Sequence, residues 1–203
     1  MIQEAALYMM KRHIDPFAYG EKGIYDGDEY IDTSQPSWAD RLPRDAVLPL
    51  RRTSPLPDLL VGMPHFCLSE RAYELFIRNL KIWERIMWVQ VRAIDRNRRD
   101  IGRYWWPKHA NSDFLNVLDL KNSTVEYYPA DWSVGPGTVR KVFRWVLDAR
   151  PIGDLDCFVG NELSWFASPK LRNLALAEKL TGFVFHPVAV STPDGTVEND
   201  EAR

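Results

Sequence analysis

Beginning at Ser69, the apolar residues Ala72, Leu75, Phe76, Leu80 and Trp83 recur at intervals of three and four, which places them on one face of a helix. Ser69 carries the short oxygen-bearing side chain that caps a helix start, so spacing and cap together predict a helix over about 69–82. A second helix is predicted from Ser168-Pro169, a cap followed by a proline whose missing N–H costs nothing in the first turn. It runs through Leu171, Leu174, Ala175 and Ala177 to Leu180, with Gly182 placed to end it. A different rhythm holds over Ile86 to Ile94, which is β-branched and aromatic and stops at the polar cluster Asp95 to Asp100; this predicts a strand. Similar patterns predict strands over 114–120, 125–128, 142–147 and 183–185, and an antiparallel meander would join them economically.

Residues 15–64 resist such a reading. Pro16, Pro36, Pro43, Pro49, Pro55, Pro57 and Pro64 each remove a backbone donor and push the preceding residue to extended geometry. Because Trp38, Leu42, Leu48, Leu50, Leu59 and Leu60 are interleaved with them, the segment reads as a long ordered loop wrapped on the core. Leu60-Val61-Gly62 precedes Phe66, Ser69 and the first helix, and Phe158-Val159-Gly160 precedes Phe166, Ser168 and the second, as if one strand–turn–strand–helix unit were used twice. The expected fold is thus a single α+β domain, an antiparallel or mixed sheet with two main helices and an internal duplication of that unit. Its expected parts are an irregular proline-rich region at 1–54, the α+β domain at 55–190 and a polar frayed tail at 191–203.

Composition narrows the function. With 203 residues, 45% hydrophobic and 12% aromatic, the chain can build a core without disulfide or metal, and Cys67 and Cys157 in apolar settings read as buried free thiols. A net charge of −2 excludes a chain that is basic throughout, so electrostatic arguments are local. Met1 to Arg12 has an early acid and only a short apolar run, unlike a secretory signal, and no apolar stretch approaches membrane-spanning length; the expectation is a cytoplasmic protein with no membrane contact.

No phosphate loop, dinucleotide fingerprint, His-Glu-x-x-His or Gly-x-Ser-x-Gly elbow is present, and His13, His65, His109 and His186 lack ligand spacing. The expectation is a non-enzyme with no metal and no cofactor. Two charged clusters stand out. Asp26, Asp28, Glu29 and Asp32 lie beside Tyr25 and Tyr30, a solvated loop or a docking surface for a basic partner. Between Arg78 and His109, nine cationic residues face three anionic ones, and Tyr104-Trp105-Trp106 follow an Arg-rich turn. Basic residues interleaved with aromatics suit single-stranded nucleic acid, or an interface where Trp and Arg act as anchors.

Several segments resemble one family: Pro57-Asp58-Leu59-Leu60, Phe66 to Arg71 opening a helix, Asn116 to Leu120 with Ser123 to Tyr128, Phe158, Phe166 to Leu171, and Leu180 to Pro187. Across approximately residues 55–190 the chain resembles the immunity protein eleven family of bacterial polymorphic toxin systems. The resemblance implies a non-enzymatic protein that neutralises a cognate toxin by direct binding; it assigns no binding residue. The candidate partner-binding residues are Asp26, Asp28, Glu29 and Asp32 for a basic toxin, and Arg98, Arg99, Trp105 and Trp106 for an acidic one. The alternatives are a nucleic-acid binder using the basic-aromatic segment 92–108, and a carboxylate-based hydrolase.

Overall fold

The computed structural model describes residues 7–12, 24–31, 41–50, 55–61, 66–109, 114–131, 137–160, 164–192 and 197–198. In chain order the strands are β1 (Leu7–Arg12), β2 (Tyr25–Asp26), β3 (Glu29–Tyr30), β4 (Ala46–Pro49), β5 (Leu59–Val61), β6 (Phe66–Ser69), β7 (Met87–Ile94) and β8 (Asp100–Lys108). They continue with β9 (Thr124–Tyr127), β10 (Val139–Arg144), β11 (Val146–Asp148), β12 (Cys157–Val159), β13 (Trp165–Ala167), β14 (Phe183–Ser191) and β15 (Val197–Glu198). Helix α1 (Glu70–Asn79) follows β6 and helix α2 (Pro169–Ala177) follows β13. Both helices start where their caps predict: Ser69 Oγ accepts the Ala72 N–H, and Ser168 Oγ accepts the Leu171 N–H, each at 3.2 Å.

The strands form a seven-stranded sheet, β3-β2-β4-β7-β8-β6-β5, and a six-stranded sheet, β11-β14-β1-β13-β12 with β15 on β14; β9 and β10 form a hairpin of their own. This is an α+β fold with mixed sheets. The expected meander is corrected, because β4 pairs β7 in parallel, β11 pairs β14 in parallel, and neighbours in a sheet are mostly distant in sequence. Residues 15–64, expected to be irregular, contain β2 to β5 among the described residues. Their prolines are tolerated because Pro49 is the last residue of β4 and Pro55 and Pro57 precede β5. Residues 114–120 form no strand; they carry the isolated bridges Leu115 to Gly160 and Leu118 to Leu147, and bury Val117 in the core of the second sheet. Conversely, β14 runs through Pro187, which lies opposite Tyr8 next to the end of the ladder with β1 and two residues before Ala189, where pairing with β11 begins.

The repeated unit extends to a whole sheet. The orders β4-β7-β8-β6-β5 and β11-β14-β1-β13-β12 match, the first pair parallel and the next three antiparallel in both. Where the single strand β8 lines β7 with one register shift at Ala93–Ile94, the place beside β14 is shared by β15, opposite Val190 and Ser191, and β1, opposite Phe183 to Val188.

Alternation along the strands sorts side chains into three cores. Leu59, Phe66 and Leu68 from one half meet Tyr8, Cys157, Val159, Trp165 and Ala167 from the other in a central core that also takes Ala72 and Phe76 of α1 and Leu171 of α2. The outer faces bury Leu60, Cys67, Val91 and Trp106 in one sheet, and Met9, Phe158, Phe166 and Val188 in the other. Cys67 and Cys157 are free buried thiols, and burial pushes both up from the ordinary thiol range.

Two aspartates lock the halves together, each in the same way. Asp58 precedes β5; it accepts the Ser69 Oγ–H at 2.7 Å and the Thr181 N–H at 2.9 Å, and its carbonyl accepts the Ser69 N–H. Asp156 precedes β12; it accepts the Ser168 Oγ–H at 2.6 Å and the Lys81 N–H at 2.9 Å, and its carbonyl accepts the Ser168 N–H. Lys81 follows α1 and Thr181 follows α2, so each aspartate fixes its own helix cap and captures the segment leaving the other half's helix.

Candidate functional site

Strand β7 turns Val89, Val91 and Ala93 into the outer core, so Trp88, Gln90, Arg92 and Ile94 point to the opposite face, the one that carries α1. Register adds neighbours on that face: Trp105 opposite Gln90, Arg103 opposite Arg92, Val47 opposite Arg92, Pro49 opposite Ile94, and Tyr25 opposite Val47. Helix α1 covers only one end of it, where Tyr73 stacks on Trp105 with ring centroids 4.1 Å apart and meets Trp88 edge-on at 5.2 Å. Beyond the helix, Gln90 and Arg103 are exposed, and the face runs into a cavity of about 360 Å³ lined by Tyr25, Val47, Pro49, Ile94, Arg96 and Arg98 among others.

The acidic loop and the Arg-rich turn meet at the rim of that cavity. Arg98 pairs with Asp28 at 2.8 Å, Arg41 with Asp26 at 3.3 Å and with Glu29 at 3.8 Å, and Arg92 with Asp45 at 2.7 Å and with Asp100 at 3.9 Å. The turn is built by Asp95, whose Oδ1 accepts the Asn97 and Arg99 N–H groups at 2.8 Å each, while Arg98 takes a left-handed φ of 61°. Among the described residues, the side chains of Arg96 and Arg103 have no hydrogen bond or ion pair.

Four of the residues chosen from the sequence, Asp28, Glu29, Arg98 and Trp105, are thus brought to one face and its rim. The other four are not equivalent to them. Asp26 turns inward, its side chain 8% exposed, and accepts the Arg44 and Asp45 N–H groups; the Asp45 N–H is the largest cause of its lowered pKa. It holds the loop in shape. Arg99 sits on the exposed turn, where its N–H closes the Asp95 turn. Trp106 is 0% exposed and lies in the outer core with Val91 and Tyr104, so the reading of it as an interface residue is corrected. Asp32 lies outside the described residues.

The sequence pattern predicts no strand over 100–108, where the structure has β8. Once β8 is recognised, alternation alone separates Arg103 and Trp105 from Tyr104 and Trp106, and it would have found Arg103, Gln90 and Tyr25 as members of the face. The basic run is also dispersed: Arg78 pairs with Glu74, Lys81 with Asp154, and Lys108 is fully buried. Among the described residues no three His, Cys, Asp or Glu side chains gather as a metal site, and no helix is long and apolar enough to cross a membrane.

Trp105 offers a direct check on the packing of this face. Its Nε1 is shielded from solvent and has no hydrogen-bond partner. Trp105→Phe removes that donor and keeps the stacked ring, so the lost area is offset, and stability measured by urea unfolding should change by no more than about 1 kcal/mol. A loss above about 2 kcal/mol would mean that the indole N–H is bonded after all.

No family model and no characterised protein matches the chain.

Proposed function

We propose that this chain is a non-catalytic binding protein whose partner is a bacterial toxin that it neutralises by direct contact in the cytoplasm, as the resemblance to the immunity protein eleven family implies. The observation that carries the binding half of this reading is the convergence of Asp28, Glu29, Arg98 and Trp105, from three separate segments, on one open sheet face that ends in a cavity. A face built on strands is pre-organised, so little ordering entropy is lost on docking. Tyr73 and Trp105 supply rigid aromatic area of the kind that dominates interface energies, and the charged rim sets orientation and association rate.

Two observations weigh against the alternatives. Asp26, Asp58, Asp119, Asp148 and Asp154 all have pKa values displaced downward, the direction opposite to a general acid. The rim carboxylates Asp28, Glu29, Asp45 and Asp100 would repel a phosphate backbone laid across the face.

Capture from the native lysate on the full chain, followed by calorimetric titration of the stoichiometric partner, tests the reading. A single protein bound at nanomolar affinity, near −12 kcal/mol, whose toxicity is suppressed by co-expression of this chain and whose binding weakens at least about tenfold in Trp105→Ala, is the expected result. Recovery of nucleic acid alone, or of no toxic protein, overturns it.

A further inference from the structure

On the open face, claimed and unclaimed hydrogen-bonding groups are unevenly divided. Asp26, Asp28, Glu29, Asp45 and Asp100 each have an arginine within 4 Å, and Asp95 accepts two backbone N–H groups. The guanidinium groups of Arg96 and Arg103 have no such partner among the described residues. Arg103 lies directly opposite Arg92 on the neighbouring strand, a placement in which like charges repel. Asp45 and Asp100 offset the charge of Arg92, and nothing described offsets that of Arg103. Three arginines, Arg41, Arg92 and Arg98, hold all five of these carboxylates, which leaves Arg96 and Arg103 over. The charged groups that the face leaves over are therefore cationic.

We infer that the face takes an acidic, extended segment of the partner protein, with one carboxylate meeting Arg103 beside Trp105, another meeting Arg96 at the cavity mouth, and an apolar side chain filling the cavity over Val47, Pro49 and Ile94. This rests on the binding reading above and adds the chemistry of the partner to it. The row of side chains follows the strands, so a segment lying along it can alternate between facing the sheet and facing solvent, as an extended peptide does. The cavity is apolar at its floor and charged at its rim, the arrangement that anchors one hydrophobic residue between polar contacts. A peptide can place single carboxylates at Arg96 and Arg103 and avoid Asp28, Glu29 and Asp45. A nucleic acid strand, charged at every linkage, cannot.

The test is a random peptide library displayed on phage and selected on the full chain, in parallel with the Arg96→Glu/Arg103→Glu variant and the Asp28→Lys/Glu29→Lys variant. All four side chains are exposed, and an unchanged urea midpoint establishes that each variant is folded. The expected result is enrichment of Asp or Glu beside an aliphatic or aromatic residue. A synthetic copy of the selected peptide should bind the wild-type chain at least about tenfold more tightly than the double-glutamate variant, and the double-lysine variant no less tightly than wild type. Enrichment of Lys and Arg, no enrichment, or acidic peptides that bind the double-glutamate variant unchanged would overturn the inference. So would oligothymidine that competes with the peptide and loses affinity in the same variant, in favour of nucleic acid. A captured toxin whose affinity survives Arg96→Glu/Arg103→Glu sinks this inference and leaves the toxin reading standing. Acidic peptides selected without any toxin captured do the reverse.

Discussion

Asp156→Ala is expected to destabilise the fold by about 3 kcal/mol, one of the two largest losses foreseen for a single side chain here. The side chain is 9% exposed and its oxygens are divided between the Ser168 hydroxyl, the Lys81 N–H and, at 3.4 Å, the Lys170 ammonium. Alanine leaves the Lys81 N–H and the Ser168 hydroxyl without an acceptor, and it loosens the cap that Ser168 makes on Leu171. The effect crosses the molecule, because Lys81 belongs to the segment leaving the helix of the other half. Asp156→Asn keeps one acceptor and should lose about half as much.

Asp58→Ala repeats the experiment at the matching position and adds a pH signature. Burial alone would raise the Asp58 carboxyl, but Arg71, Thr181 and Ser69 outweigh it and hold the group below the ordinary aspartate range. With the folded value below the unfolded one, this contribution is complete above the ordinary aspartate pKa, near 4, and is lost as pH falls through the folded value. The gap between the urea midpoints of wild type and Asp58→Ala should therefore narrow progressively as pH is lowered below about 4. A gap of constant size would mean that the carboxylate charge plays no part.

Gly182→Ala is expected to cost at least about 3 kcal/mol by the same measurement. The backbone there has φ +89°, and an added Cβ would come within 2.5 Å of the Leu59 carbonyl oxygen and 3.1 Å of Pro57 Cβ. The nearest atom is backbone and cannot rotate away. Leu59 also donates its N–H to the Thr181 carbonyl at 3.0 Å, so a shift that relieves the clash pulls on the junction held by Asp58. Gly153 separates the two causes: it has φ +59° with nothing within 4 Å of an added Cβ, so Gly153→Ala should cost only the backbone penalty, about 1 kcal/mol. Equal losses at the two positions would show that the contact with Leu59 is relieved for free.

What the sequence made legible was local. Both helix starts could be read because a serine, a proline and a run of apolar residues act within a single turn, and β7 could be read because its residues fill one face of a sheet. Strand β8 was hidden by its own surroundings, since an Arg-rich turn and three successive aromatics look like loop until a partner strand supplies the alternation. The order of the sheets was not legible at all. It depends on pairings such as Leu7 with Val188 and Val47 with Arg92, which no window of neighbouring residues contains. The candidate site fell between these cases: its charges and Trp105 could be named, but their meeting on one face required the register of β2, β4, β7 and β8.

The divided strand beside β14 bears on the order of events during folding. The strand β4-β7-β8-β6-β5 set draws only on residues before 109, so that sheet can form while the rest of the chain is still being made. In the second sheet β1 is the earliest strand synthesised, yet both of its neighbours, β13 and β14, come from beyond residue 164. Its alternating Leu7, Tyr8 and Met9 must stay unpaired until residues 166–188 exist, at the entropic cost of closing a very long loop. Closure of that sheet is expected to be slower than that of the first, and the bare edge of β1 is where an unfinished molecule would meet a chaperone or another copy of itself.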